Sequence, residues 1–358
     1  MKPSASLKSI PLASTLILAL VGCSNSTPPP VMCANTNCTL PITPAVTSIY
    51  VVQNVAPGAT GQPMILQFPA NASGSVSPES SITLPAGLTL GVITESNGNI
   101  YVATSADVRE YAPGSNGAAT PVRLIPANAT TTIGAVTGLA VDVSGNIFVS
   151  EQGGGIAIFD AMANGSVGPS RYILGNSQPG GGLSTIENPG ALTTDASGNL
   201  YVANQDAHRA GSILVFGPTA TGNVAPTSII AGASTTLNGA PHGIATDPLG
   251  NLYIANNNNT TPSNSILVFN AGANGNVAPA RTIIGSSTQL GVLYGLSVDP
   301  LNSTIFVVTE GNPFNNVLPG NATILSFATS ASGNVAPSSS FMSPQWTVDA
   351  NVLSLAAH

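Results

Sequence analysis

Between residues 243 and 285 the chain reads GIATDPLGNLYIANNNNTTPSNSILVFNAGANGNVAPARTIIG, four short apolar runs each stopped by Gly, Pro, Asn or Asp. Runs of strand length, rich in Ile, Leu, Val, Tyr and Phe and bounded by turn residues, predict β-strands. Near-copies occupy most of the chain. The first and second runs meet across a turn in ITESNGNIYVAT ending at Thr104, AVDVSGNIFVSE at Glu151, TTDASGNLYVAN at Asn204, IATDPLGNLYIAN at Asn256 and SVDPLNSTIFVVTE at Glu310. The third runs end at Phe68, Tyr111, Phe159, Phe216, Phe269 and Phe327, and each leads into a linker of the type A-x-G-N-V-A-P. The closing prolines, Pro78, Pro121, Pro169, Pro226, Pro279 and Pro337, recur about 50 residues apart.

Four antiparallel strands per unit at this period predict a six-bladed β-propeller over residues 47–358. Proline at the entrance to the fourth strand makes that strand the outermost, because only an edge tolerates the missing N–H. The first unit has no first strand of its own. An unpaired apolar run, NVLSLAA, lies at the C-terminus and is expected to fill the gap, closing the ring and removing open sheet edges. The Asp-x-x-Gly-Asn turn followed by Leu-Tyr-Val-Ala resembles the NHL-type and related six-bladed propellers, a resemblance that implies architecture more than activity.

The acidic residues Asp142, Asp195, Asp247 and Asp299, with Glu95 in their place in the second unit, sit at one offset beside Gly-Asn. Repetition at that offset marks them as turn caps, with Gly98, Gly145, Gly198 and Gly250 supplying positive φ. Strand alternation places these turns and the Pro-ended linkers on one face of the ring. The links from second to third strand and from blade to blade fall on the other, where sequence varies most. At that rim the second strands end in Gln53, Thr104, Glu151, Asn204, Asn256 and Thr309, with His242 and Tyr294 before the first strands of blades five and six. Oxygen ligands and one imidazole suit a hard or borderline cation such as Ca or Zn. Glu151, Asn204, Asn256 and His242 are similar in kind to the cation ligands of six-bladed lactonases, and that likeness implies a metal-dependent hydrolase or lyase as one reading. The other is that these groups bond strand ends and solvent, which leaves a binding or scaffolding module with a protein or glycan partner.

The N-terminus is of different character. Lys2 and Lys8 precede an apolar run from Ile10 to Val21, about 12 residues and too short to cross a bilayer as a helix. It ends in Leu-Val-Gly-Cys, which resembles the lipobox of bacterial lipoproteins and implies a signal peptide over 1–22, lipidation at Cys23 and residence in the cell envelope, at the outer membrane or an exported surface. An ordinary secretory signal is the alternative. Residues 23–46 carry five prolines and no periodicity and are expected to form an extended tether. Cys33 and Cys38 within it pair as a local disulfide in an oxidising compartment, or hold a metal. Charged residues make up only 6% of the chain, net charge is -7, and the seven Lys and Arg are scattered. That excludes the basic patch nucleic acid requires. A monomer is expected.

Overall fold

The computed structural model describes residues 48–54, 61–86, 90–152, 154–208, 210–237, 241–257, 264–299, 301, 303–310, 322–344, 346 and 352–357. The signal peptide, the tether, and Cys23, Cys33 and Cys38 lie outside them. Among the described residues no helix is long and apolar enough to cross a membrane.

The unit from Ala45 to His358 is a closed ring of six antiparallel blades, as the spacing predicts. Blade 2 is Leu90–Ser96, Asn99–Thr104, Asp107–Tyr111 and Arg123–Pro126, from axis to rim. Blade 3 is Val136–Val141, Ile147–Glu151, Ile156–Phe159 and Arg171–Ile173. Blade 4 is Asn188–Thr194, Leu200–Gln205, Gly211–Phe216 and Ser228–Ile230. Blade 5 is Gly243–Thr246, Leu252–Asn256, Ser265–Phe269 and Arg281–Ile283. Blade 6 is Val292–Asp299, Thr304–Glu310, Ala322–Ala328 and Ser339–Met342. Blade 1 takes Ser48–Gln53, Met64–Pro69 and Ser80–Thr83 from the start of the ring and its innermost strand, Val352–Ala357, from the end. That strand pairs antiparallel with the next, Ile49 opposite Ala357 and Val51 opposite Leu355.

Each blade is apolar on both faces because each is packed on both sides. Six hydrophobic clusters form, one in each gap between neighbours. Strands such as Ser265–Phe269 are therefore buried at every residue rather than at alternate ones. The C-terminal strand serves two gaps at once: Leu355 packs between blades 6 and 1, and Ala356 between blades 1 and 2. The closing gap also holds an aromatic trio, with Phe68 5.3 Å from Phe341 and 5.6 Å from Trp346 between ring centroids.

The outer edges are satisfied by a device that the sequence disguises as a plain turn. Each linker between third and fourth strands hydrogen-bonds to the outermost strand of the preceding blade. The Gly275 N–H donates to the Ile229 carbonyl at 2.6 Å, and the Gly275 carbonyl accepts from Ala231 N–H at 3.3 Å. Gly117, Gly165, Gly222 and Gly333 bond in the same way to Ser81, Leu124, Tyr172 and Thr282. In blade 1 the linker lengthens into a short parallel strand, Gly74–Ser75, beside blade 6. All six glycines have φ between 64° and 75°. Arginine reinforces the clasp. Arg123, Arg171 and Arg281 open the fourth strands of blades 2, 3 and 5, and each guanidinium donates to a carbonyl of the next linker, at Ala161, Pro218 and Thr329. The basic residues that look scattered in the sequence thus share one structural position in three blades.

The turn aspartates behave as predicted. Asp247 accepts from Leu249 and Asn251 N–H at 3.0 and 2.9 Å and from the Asn251 amide at 2.8 Å, a pattern that Asp142 and Asp195 repeat. Blade 2 differs, closing its hairpin over Asn97 and Gly98, both at positive φ. Nearer the axis the innermost strands approach so closely that a Cβ on Gly138 would lie 2.1 Å from the Gly190 carbonyl oxygen, and one on Gly243 2.5 Å from the Leu296 nitrogen.

A test of the clasp follows from Gly275, where an added Cβ meets nothing within 4 Å, so alanine there costs only its left-handed backbone. Gly275→Ala is expected to lower unfolding free energy by about 1–2 kcal/mol in urea titration. Gly134→Ala, also in open space but without positive φ, should leave it within about 0.5 kcal/mol.

Candidate functional site

The five candidate rim residues divide into two groups. Glu151, Asn204 and Asn256 end second strands and are buried, at 8%, 2% and 2% exposure. His242 and Tyr294 stand at the start of innermost strands and line the axial channel.

The first group does one job. Four blade-to-blade connections each carry, among the described residues, a non-glycine residue in the left-handed region: Thr132, Thr185, Thr236 and Gln289, with φ of 57°, 56°, 56° and 59°. A β-branched side chain is disfavoured there by about 1–2 kcal/mol, so the surrounding structure must impose it. The residue before it supplies a hydroxyl that accepts the N–H two residues on and donates to a carbonyl upstream. Thr235 Oγ1 accepts from Leu237 N–H and donates to the Gly232 carbonyl, and Thr288 does the same with Leu290 and Gly285. The residue after it is an apolar knob, Ile133, Ile186, Leu237 or Leu290, buried between blades.

The end of the second strand then pins the turn. Glu151 Oε1 accepts from Gly134 N–H at 3.2 Å, Asn204 Oδ1 from Glu187 N–H at 2.9 Å, and Thr309 Oγ1 from Gly291 N–H at 2.7 Å. In each case the donor lies two residues past the left-handed position. The amides of Asn204 and Asn256 donate to the carbonyls of the strained residues themselves, Thr185 at 3.4 Å and Thr236 at 3.2 Å. One position in the repeat, filled by Glu, Asn or Thr, therefore holds the chain as it crosses from rim to axis.

Glu151 has a second set of partners. Its Oε2 accepts from the Tyr172 hydroxyl at 3.4 Å, and that hydroxyl accepts from Gln178 Nε2 at 2.9 Å and Gly155 N–H at 3.1 Å. Burial raises the carboxyl pKa above its ordinary value, and the bonds from Gly134 and Tyr172 offset only part of that rise. Asp107 is one of two buried carboxylates of blade 2, with Glu110. It is paired in bidentate fashion by Arg109 at 2.8 and 2.7 Å and bonded by Thr104 at 2.7 Å.

The second group borders a channel of about 380 Å³ walled by the innermost strands of all six blades. His242 is exposed at its mouth and its N–H donates to the Ala255 carbonyl at 3.1 Å. Desolvation by the surrounding strands lowers its imidazole pKa. Tyr294 is pushed up to about 12 by burial and by the neighbouring Glu310 carboxylate, to which its hydroxyl bonds. Hydroxyls link the innermost strands around the wall: Thr246 Oγ1 donates to the Thr194 carbonyl at 2.9 Å and Thr194 Oγ1 to the Val141 carbonyl at 3.1 Å. Among the described residues no three of His, Cys, Asp and Glu are grouped so as to hold a metal ion.

No protein-family model matches this chain, and no curated protein does. Solved structures resemble its fold. A crystal structure of a protein of unknown function from Bacteroides caccae superposes with a TM-score of 0.57 at 12% identity, covering 87% of this chain and 99% of that one. The WD40 domain of Neurospora crassa Pan2 gives 0.46 at 11% identity over 81% and 75%, and the WD40 β-propeller domain of Doa1 gives 0.45 at 12% over 68% and 68%. The likeness is one of architecture.

Two outcomes are expected of the pinning residues. Asn204→Ala removes a buried side chain and its part-buried hydrogen bonds to the Thr185 carbonyl and Glu187 N–H and should cost about 1–3 kcal/mol of stability by chemical denaturation. For Glu151 the folded pKa is raised above the unfolded one, so its contribution to stability is full below the unfolded pKa and is lost as pH rises through the folded value. Glu151→Gln keeps an oxygen for Gly134 and removes the titration, so its melting temperature should gain on that of the unmodified protein as pH is raised from about 4 to about 7.

Proposed function

We propose that this protein is an exported, lipid-anchored β-propeller that binds a protein or glycan partner through the face carrying its blade-to-blade and second-to-third-strand connections. The observation that carries the reading is the inequality of the two faces. The turn face repeats the glycine clasp at every linker and one Asp-capped hairpin in blades 3, 4 and 5. On the other face the link from second to third strand is Ser105–Ala106 alone in blade 2, and the blade-to-blade connection, residues 284–291 between blades 5 and 6, lengthens to residues 174–187 between blades 3 and 4. Variation on a fixed scaffold is where recognition resides in repeat architectures. The N-terminal charge, apolar run and cysteine support export and lipidation at Cys23.

A metal-dependent hydrolase or lyase, the other reading of the rim, draws less support. The oxygens that Glu151 and Asn204 would offer to a cation accept from the Gly134 N–H, the Tyr172 hydroxyl and the Glu187 N–H, and the Asn256 side chain is tied through its amide nitrogen to the Thr236 carbonyl. A ligand set that holds the scaffold together is poorly placed to exchange partners during catalysis.

The test compares the faces. Gln178, Leu183 and His208 lie on connections of the variable face, and Val143, Leu249 and Leu301 are exposed on the hairpin turns opposite. Retention of envelope proteins and arrayed glycans by the immobilised protein is expected to fall about tenfold, or 1.4 kcal/mol, when the first three are changed to serine, and to survive the same change in the second three. The opposite pattern would overturn the reading. So would a stoichiometric Ca or Zn ion that is lost in Glu151→Ala while the fold is kept.

A further inference from the structure

The geometry points to the axial channel, entered past His242 and Tyr294, as a site for a small, uncharged, polyhydroxylated molecule the size of one sugar ring. This deepens the proposed function and rests on its choice of binding face.

Volume sets the size of the ligand. The channel's roughly 380 Å³ is near the lower end of the range for small-molecule pockets, about 300–1,000 Å³. One ring suits it better than a chain.

Charge sets the class. Among the described residues no Asp, Glu, Lys or Arg lines the channel, and the Glu310 carboxylate beside Tyr294 is engaged by the Tyr294 hydroxyl. The two titratable groups in its wall are both held neutral at pH 7, the imidazole by a lowered pKa and the phenol by a raised one. An ionic ligand would give up its hydration without gaining a counter-charge, which is the costly way to bury an ion. An apolar ligand fails for the opposite reason. The wall includes Thr94, Thr137, Thr193, Thr194, Thr246 and Ser297, and covering hydroxyls and strand backbone with hydrocarbon leaves them unsatisfied.

The direction of the hydrogen bonds narrows the class further. The hydroxyl protons of Thr137, Thr194 and Thr246 are spent on the carbonyls of Pro189, Val141 and Thr194. What these side chains retain is acceptor capacity, because a hydroxyl oxygen carries two lone pairs beside its one proton. A ligand rich in O–H donors complements such a wall. Tyr294, at the mouth, adds an aromatic body with a polar tip, a side chain that suits a surface part apolar and part wet.

The experiment uses the full chain and calorimetric titration with glucose, galactose and N-acetylglucosamine as neutral probes, against glucuronate and glucosamine as charged counterparts. At least one neutral sugar should bind, and its charged counterpart should bind at least about tenfold more weakly. Ala245→Leu, at a wall position whose side chain also packs against the core between blades 5 and 6, should abolish binding. His242→Ala, at an exposed position where folding is not at stake, should weaken it and so keeps the test decisive if the first variant fails to fold. Glycans ending in the active sugar form a second arm that distinguishes a free ligand from the tip of a larger one, and binding of either supports the site. Failure of every neutral sugar at millimolar concentration, equal binding of charged and neutral forms, or binding indifferent to His242 would overturn it. Retention by the loop face is measured separately, so its survival in the absence of sugar binding would reject the channel site alone.

Discussion

A blade of four short strands has two apolar faces and two open edges, and in water it can satisfy neither by itself. Mutual satisfaction around a closed circle is the constraint from which the rest of this structure follows. Faces are covered by neighbouring blades, which accounts for six hydrophobic clusters and for strands buried at every residue. Outer edges are covered by the next blade's glycine linker. The circle closes only because its last strand is stored at the opposite end of the chain, where Val352–Ala357 lies beside Ser48–Gln53. A ring of this kind needs few charges. The ion pairs found among the described residues, Arg109 with Asp107 and Arg123 with Glu110, are both in blade 2, and Arg123 also joins the clasp.

The same constraint bears on function. A chain that must cross from rim to axis between blades needs a sharp turn near the opening, and here a left-handed threonine or glutamine makes it. Such turns have to be held, and Glu151, Asn204, Asn256 and Thr309 hold them. Polar groups gathered at the mouth of a propeller look like a ligand set because their positions converge. Their bonds show them serving the scaffold first. What remains for recognition is the part of the loop face that the scaffold does not consume, together with the neutral wall of the channel.

Much of the fold was legible in the chain because its signals are local. Strand runs, Asp-capped turns and the unpaired C-terminal run each follow from a few adjacent residues, and their repetition makes them readable. Other features depend on contacts far apart in sequence. Nothing about Thr185 or Thr236 marks a left-handed residue, since threonine is a poor choice there and the conformation is imposed by Asn204 and Asn256 about one strand and one turn away. The clasp was half visible: Gly-Asn recurs in the linkers, but that the glycine bonds to the previous blade is a matter of ring geometry. Arg123, Arg171 and Arg281 carried a signal that alignment of the fourth strands exposes, each being the first residue of its strand. At the rim the sequence gathered the correct residue types and left their partners open, because a buried Asn bonded to backbone and one bonded to a cation read alike.

Native-state hydrogen exchange measures the closed ring most directly. If edges and faces are satisfied cooperatively around the circle, the linker amides of Gly117, Gly222, Gly275 and Gly333 will exchange only through global unfolding, with the same free energy as the central-strand amides of Ile254 and Leu267. Exchange of the glycine amides at rates typical of exposed turns, while the central strands stay protected, would contradict the account, because the blades would then stand without the clasp.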